Sequence, residues 1–159
     1  LAGLSDQAAG AALYNYQRMS TGLLPVPRSS ALDSACSLHS EYMRVHDELT
    51  HEEEVGKTGY SEDGARAGDA SNITRHLSGS MTQSVHNLFS AVYHRFSMMD
   101  NYLLSFGYAL SSVSATNFRY ATFDVYSNAV TNNRYGEEDY VTYYDPAVHA
   151  LPQGGGLWL

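Results

Sequence analysis

Apolar positions recur at helical spacing along the first part of the chain. Ser5 and Asp6 are N-cap residues, and Ala8, Ala12, Leu13 and Tyr16 follow on one face as far as about Ser20. Gly22 ends that pattern, and Pro25 and Pro27 hold the next stretch extended. Ser29 or Ser30 caps a second helix. Its apolar face reads Leu32, Ala35, His39, Tyr42 and Met43, with His46 one heptad after His39, and it is predicted to end near Leu49. Residues 50–79 have no sustained period and carry Gly56, Gly59, Gly64, Gly68 and Gly79. They read as a long loop, and long loops in compact domains are often functional. Ser80-Met81-Thr82-Gln83 has the form of a capping box, in which Gln83 reaches back to the Ser80 amide. A helix follows with Val85, Leu88, Phe89 and Val92 inward, and it runs into Tyr93-His94-Arg95. The remainder is strand-like. Phe106–Leu110, Phe118–Tyr126 and Tyr140–Tyr144 are rich in Tyr, Phe, Val and Thr, and Ser and Asn cluster between them. Helices precede strands and no βαβ alternation is present, so the order predicts an α+β fold with helices packed on an antiparallel sheet.

Composition narrows this picture. A chain of 159 residues fits one domain and can bury a core without a metal or disulfide staple. The domain is read as spanning 1–159, with an irregular tail from about 145 that includes Gly154-Gly155-Gly156. Thirteen Tyr against five Phe and one Trp suit half-buried strands and cleft walls. The formal charge of −8, with the basic residues scattered singly, excludes nucleic acid or an anionic membrane as partner. Acidic residues gather at Asp47–Glu54 and Glu137–Asp139, and such runs are ordinarily solvated faces. Cys36 is the sole cysteine, so no intramolecular disulfide forms, and its apolar helical setting reads as a buried, inert thiol. No apolar run approaches the ~20 residues of a membrane span. No signal peptide is visible, and the chain does not begin with Met, so the residues alone leave the compartment open.

Seven histidines are the main candidates for chemistry. His39 lies on an apolar helix face and reads as a satisfied core histidine. His46, His76 and His149 have no partner that the sequence identifies. In a continuous helix His86 and His94 would stand about 80° apart, which disfavours joint ligation. No Gly-x-Ser-x-Gly elbow announces a nucleophile. Asn72-Ile73-Thr74 is a glycosylation sequon.

Taken in order, these landmarks resemble the CAP superfamily (cysteine-rich secretory proteins, antigen 5, pathogenesis-related proteins), in its bacterial, cysteine-poor form. Asn15-Tyr16-Gln17-Arg18 followed by Gly22-Leu23-Leu24-Pro25-Val26 looks like the family's opening helix and its exit. The second helix is matched by His39-Ser40-Glu41-Tyr42-Met43. Thr50-His51-Glu52-Glu53 looks like the segment that bears the first cleft histidine. Gly59-Tyr60-Ser61-Glu62-Asp63-Gly64 and the run through Ser71-Asn72-Ile73 look like the family's next loop. Tyr93-His94-Arg95, with Gly107 downstream, matches the segment of the second histidine, and Val141–Pro152 resembles the closing strand and tail.

The resemblance implies a three-layer α-β-α sandwich with a small antiparallel sheet, and an extracytoplasmic setting. It implies a cleft lined by His51 and His94, with Ser71 and Asn72 beside them. The best-known members add two Glu to that cleft. Here Ser71 and Ala91 stand at those positions, and neither side chain can serve as a general base on a metal-bound water. The reading is therefore a non-catalytic binding or interaction module whose His-lined cleft holds a small molecule, a lipid, a peptide or an ion. The alternative is a metal-dependent hydrolase or peptidase. It would use His51 and His94 on a divalent metal, zinc first, with Glu52, Glu53 or Glu54 supplying a carboxylate.

Overall fold

A computed structural model describes residues 3–77 and 79–129. The expected strand at Tyr140–Tyr144, the closing segment and the tail from about 145 lie outside the described residues. Helix α1 spans Asp6–Ser20, and the Ser5 side chain caps it by accepting from the Ala8 amide. Helix α2 spans Ser30–His46. Ser29 caps its start, and Asp47, in the left-handed conformation, ends it. The Ser29 cap matches the sequence expectation, and the helix stops three residues before Leu49.

Two elements arise inside the stretch that has no sequence period. Helix α3 spans Glu62–Asp69 and strand β1 spans Ser71–Leu77. The helix contains Gly64 and Gly68, each costing about 1 kcal/mol of helix propensity relative to Ala. Ser61 compensates in part by capping the Gly64 amide. The strand holds only two apolar residues, Ile73 and Leu77. Two of its buried polar members are held by hydrogen bonds: Asn72 donates to Ser97 and His76 Nε2 pairs with Ser84.

Helix α4 spans Met81–Ser90 and helix α5 spans Val92–Met98. The expected single helix is broken at Ala91, whose backbone is extended at φ −88°, ψ 119°. Half of the expected capping box is present. Ser80 Oγ accepts from the Gln83 amide, whereas the Gln83 side chain turns forward to Asn87.

Strands β2 (Gly107–Leu110) and β3 (Phe118–Asp124) complete a three-stranded antiparallel sheet of order β1-β3-β2. Ser71 and Gly107 both pair with Asp124, one on each side of the central strand. Helix α2 covers one face of this sheet, packing on β2 and β3. Ser40 Oγ donates to Thr122 Oγ1 there at 2.8 Å, and Met43 packs with Ile73 and Tyr120. Gly107 permits the close approach, because a Cβ would collide with Leu32 and the Asp33 amide. The other face carries the main core, where Tyr14, Met81, Val85 and Leu88 of α1 and α4 meet Phe106, Tyr108 and Phe123. Tyr14 stands edge-on to Phe106 and Phe123, with ring centroids at 4.7 and 5.0 Å. Its hydroxyl donates to the Met98 carbonyl, as does the buried guanidinium of Arg18. The result is the α-β-α layering expected from the order of elements.

Candidate functional site

His51 lies in the loop between Asp47 and Ser61, and one stripe of α2 holds that loop. His39, Tyr42 and His46 occupy the stripe at spacings of three and four, so their side chains leave the helix on one side. The Tyr42 and His46 rings lie 4.4 Å apart. Each side chain holds loop backbone. His39 Nε2 lies 2.9 Å from the Thr50 carbonyl, Tyr42 Oη accepts from the Glu54 amide, and His46 Nε2 lies 2.9 Å from the Thr58 carbonyl. His39 Nδ1 also lies 2.9 Å from Glu53 Oε1, and both side chains are fully buried. The second Glu53 oxygen accepts from the Ser61 amide. Both ring nitrogens of His39 are therefore occupied, one by a carboxylate oxygen and one by a backbone carbonyl. His39 is thus a satisfied buried histidine, and its partner is a carboxylate of the acidic run.

Within this frame His51 Nδ1 sits 2.8 Å from the Gly68 carbonyl. A carbonyl only accepts, so Nδ1 carries the proton and Nε2 of the neutral ring keeps its lone pair. Gly68 is required at that point. A Cβ would collide with the His51 carbonyl oxygen and the His39 ring.

His94 reaches the site from the short helix α5. Its ring is half-buried. Burial, and then the charge of His51, hold its pKa below the ordinary histidine value, which keeps the ring neutral and its lone pair available. Asn72 fixes the backbone beneath it, donating from Nδ2 to the His94 carbonyl at 3.1 Å and to Ser97 Oγ at 2.8 Å. The junction from Gly68 to Asn72 therefore ties both histidines to the start of β1, His51 through a carbonyl and His94 through a carboxamide. Ser71 lies between these anchors, buried, with an Oγ that finds no partner among the described residues.

The carboxylates distribute differently. Glu53 is committed to His39 and Ser61. Glu54 is exposed and pairs with Lys57 at 2.5 Å, and Glu52 is exposed. Ala91 lies at the break between α4 and α5. Among the described residues, no group of three or more His, Cys, Asp and Glu converges as a metal site. Cys36 is buried, and burial pushes its thiol up to about 12, which makes it a poor nucleophile. The sequon asparagine, Asn72, is buried within β1 with its carboxamide bonded, so the folded chain does not present it for modification.

Sequence reasoning did not find the Gly68 carbonyl, the Asn72 anchor or the His39–Glu53 pair. Only the last left a signal, the recurrence of His39, Tyr42 and His46 along one helix face.

Helical layers on a small antiparallel sheet, with two histidines held at the start of its edge strand, define an α+β domain of the CAP kind. Residues 11–126 match the family model of the cysteine-rich secretory protein (CAP) family, and the chain belongs to that family. Two solved bacterial structures share the fold. An outer surface protein from Borrelia burgdorferi aligns with a TM-score of 0.54 at 10% identity, over 75% of this chain and 91% of that one. An extracellular protein containing an SCP domain from Bacillus anthracis str. Ames aligns with a TM-score of 0.54 at 13% identity, over 74% of this chain and 39% of that one. No curated protein matches. Among the described residues, no helix is long and apolar enough to cross a membrane.

Proposed function

We propose that this CAP domain is an extracytoplasmic, non-catalytic binding module whose cleft, lined by His51, His94, Ser71 and Asn72, holds a small molecule, a lipid, a peptide or an ion. The observation that carries this reading is the fate of Glu53. It is the one buried carboxylate of the Glu52–Glu54 run, and it bonds His39 and Ser61 rather than standing free as a base. The His51 and His94 imidazoles remain, and the His51 Nδ1 contact to the Gly68 carbonyl leaves Nε2 as the atom that faces a hydrogen-bond donor or a cation. Two histidines completed by water make a weak metal site, because tight zinc sites use three or four protein ligands. The outer-surface and extracellular descriptions of the two similar structures support the setting.

The lowered pKa of His94 favours the second reading, a metal-dependent hydrolase, since a ligating imidazole must be neutral. One experiment separates the two. Cleavage of a fluorogenic peptide is followed with and without Zn²⁺ in the wild type and in His94→Ala, while imidazole ¹⁵N shifts report Zn²⁺ at the cleft. The expected result is no turnover above the His94→Ala background, with weak, saturable shifts at His51 and His94. Turnover in the wild type that disappears in His94→Ala would overturn the binding reading in favour of the hydrolase.

A further inference from the structure

The face of the sheet beneath α2 carries a line of polar groups. Ser40 bonds Thr122 there, and Met43 packs on Tyr120, so along this contact the helix ascends as β3 descends. One turn before Ser40, Cys36 therefore stands over the next β3 residue of the same face, Asp124. The approach of Leu32 and Asp33 to Gly107, which pairs with Asp124, follows the same alignment. Ser71 opposes Asp124 on the other side, and directly opposed residues of an antiparallel pair project to one face. The Val125 amide bonds the Ala70 carbonyl, so Ser71 and Asp124 form a pair without ladder bonds, the kind in which side chains lie closest.

These three side chains are buried, and two of them are incompletely bonded. Ser71 is 3% exposed, Asp124 1% and Cys36 0%. Ser71 Oγ and Asp124 Oδ2 have no hydrogen-bond partner among the described residues. The Asp124 carboxylate is not free to turn toward Ser71, because its other oxygen accepts from the Tyr126 and Ser127 amides. Asp124 and Ser71 are also the polar neighbours of the Cys36 thiol, which burial keeps protonated. A buried carboxylate oxygen without a donor is costly, so such atoms are ordinarily bonded to protein or to ordered water.

We propose that Cys36, Ser71 and Asp124 enclose an internal binding site for one water molecule. The water donates to Asp124 Oδ2 and accepts from the Ser71 hydroxyl and from the weaker Cys36 thiol donor. Three partners are the number that a buried water typically finds. Each partner comes from a different element, α2, β1 or β3, so the water joins the helix to both strands. It lies beside the Gly68–Asn72 junction, which holds His51 and His94, but its binding does not depend on what the histidine cleft takes.

The test uses the full chain. A high-resolution crystal structure of the wild type should show one density peak at ~2.6–3.2 Å from both Ser71 Oγ and Asp124 Oδ2. In solution, the Ser71 amide should show cross-relaxation with a long-lived water. Ser71→Ala removes one partner and should lower the folding equilibrium constant about tenfold, with the largest amide shifts at Cys36, residue 71 and Asp124. His51→Ala should leave the peak in place. Three results would each overturn the proposal: a direct bond from Ser71 Oγ to Asp124 Oδ2 with no density between α2 and that pair, a peak with contacts of about 2.0–2.4 Å, which are those of a metal ion, or a Ser71→Ala protein as stable as the wild type.

Discussion

The segments that carry His51 and His94 are positioned by opposite means. The Asp47–Ser61 loop has almost no apolar contact with the core, and Val55 is 81% exposed. Polar bonds from one helix stripe hold it, with a fully buried imidazole–carboxylate pair at their centre. Helix α5 is anchored from below by buried Met98 and Ser97 and by the Asn72 carboxamide, while Tyr93 and Phe96 on it are 86% and 67% exposed. The loop is therefore held by polar bonds and the helix largely by packing, and the failure modes differ. Apolar packing degrades gradually as contacts are lost, whereas a buried charge pair fails abruptly when one partner is removed, since the other is left uncompensated.

The comparison can be broken most strongly at His39. His39→Ala leaves Glu53 buried without its partner, and an unpaired buried charge of this kind costs about 3–5 kcal/mol. We expect a marked fall in the urea midpoint, together with faster proteolysis between residues 52 and 58. A loss below about 1 kcal/mol, the scale of an exposed ion pair, would mean that the loop is held by something other than this pair.

A smaller effect is expected on the other side. Asn72→Ala removes two hydrogen bonds and leaves the Ser97 hydroxyl and the His94 carbonyl with the bond they make to each other. The cost should be about 1–3 kcal/mol. Amide shifts should concentrate in α5 and spare the Asp47–Ser61 loop. Equal disturbance of both segments would show that the Gly68–Asn72 junction couples the two histidines rather than holding each independently.

The smallest effect is a dependence on pH. The pKa of His94 lies below the ordinary value, which is about 6.5, so between those two values the unfolded chain binds more protons than the folded one. Stability should fall as pH drops through that window and stay level above it. His76, lowered by burial and then by Arg119, contributes with the same sign. Melting curves at about pH 7.5 and about pH 5.5 should show a smaller acid loss in His94→Gln than in the wild type. An unchanged loss would assign the acid sensitivity to His76 and the other histidines.

Much of the fold was legible because helix starts are written locally. Ser5, Ser29 and Ser80 each cap a helix through an amide three residues away, a pattern contained in four consecutive positions. The strands Gly107–Leu110 and Phe118–Asp124 announced themselves through aromatic and β-branched composition. The central strand β3 is buried from Tyr120 to Asp124, which demands such residues. The expectation that His51 and His94 share a site came from the order and spacing of family motifs rather than from any local period.

Tertiary structure alone decided the rest. Ser71–Leu77 becomes a strand because residues 118–124 pair with it, and its buried polar side chains erase the alternation that would have revealed it. Ala91 interrupts a pattern that reads as continuous, and so separates His86 from His94. Among three adjacent glutamates, only packing determines that Glu53 turns inward to His39 while Glu52 and Glu54 face solvent. Caps and hydrophobic periods are short-range and repeat along the chain, so a sequence displays them. Which strand finds an edge and which carboxylate meets a buried imidazole depend on groups brought together across long separations, and those meetings exist only once the chain has folded.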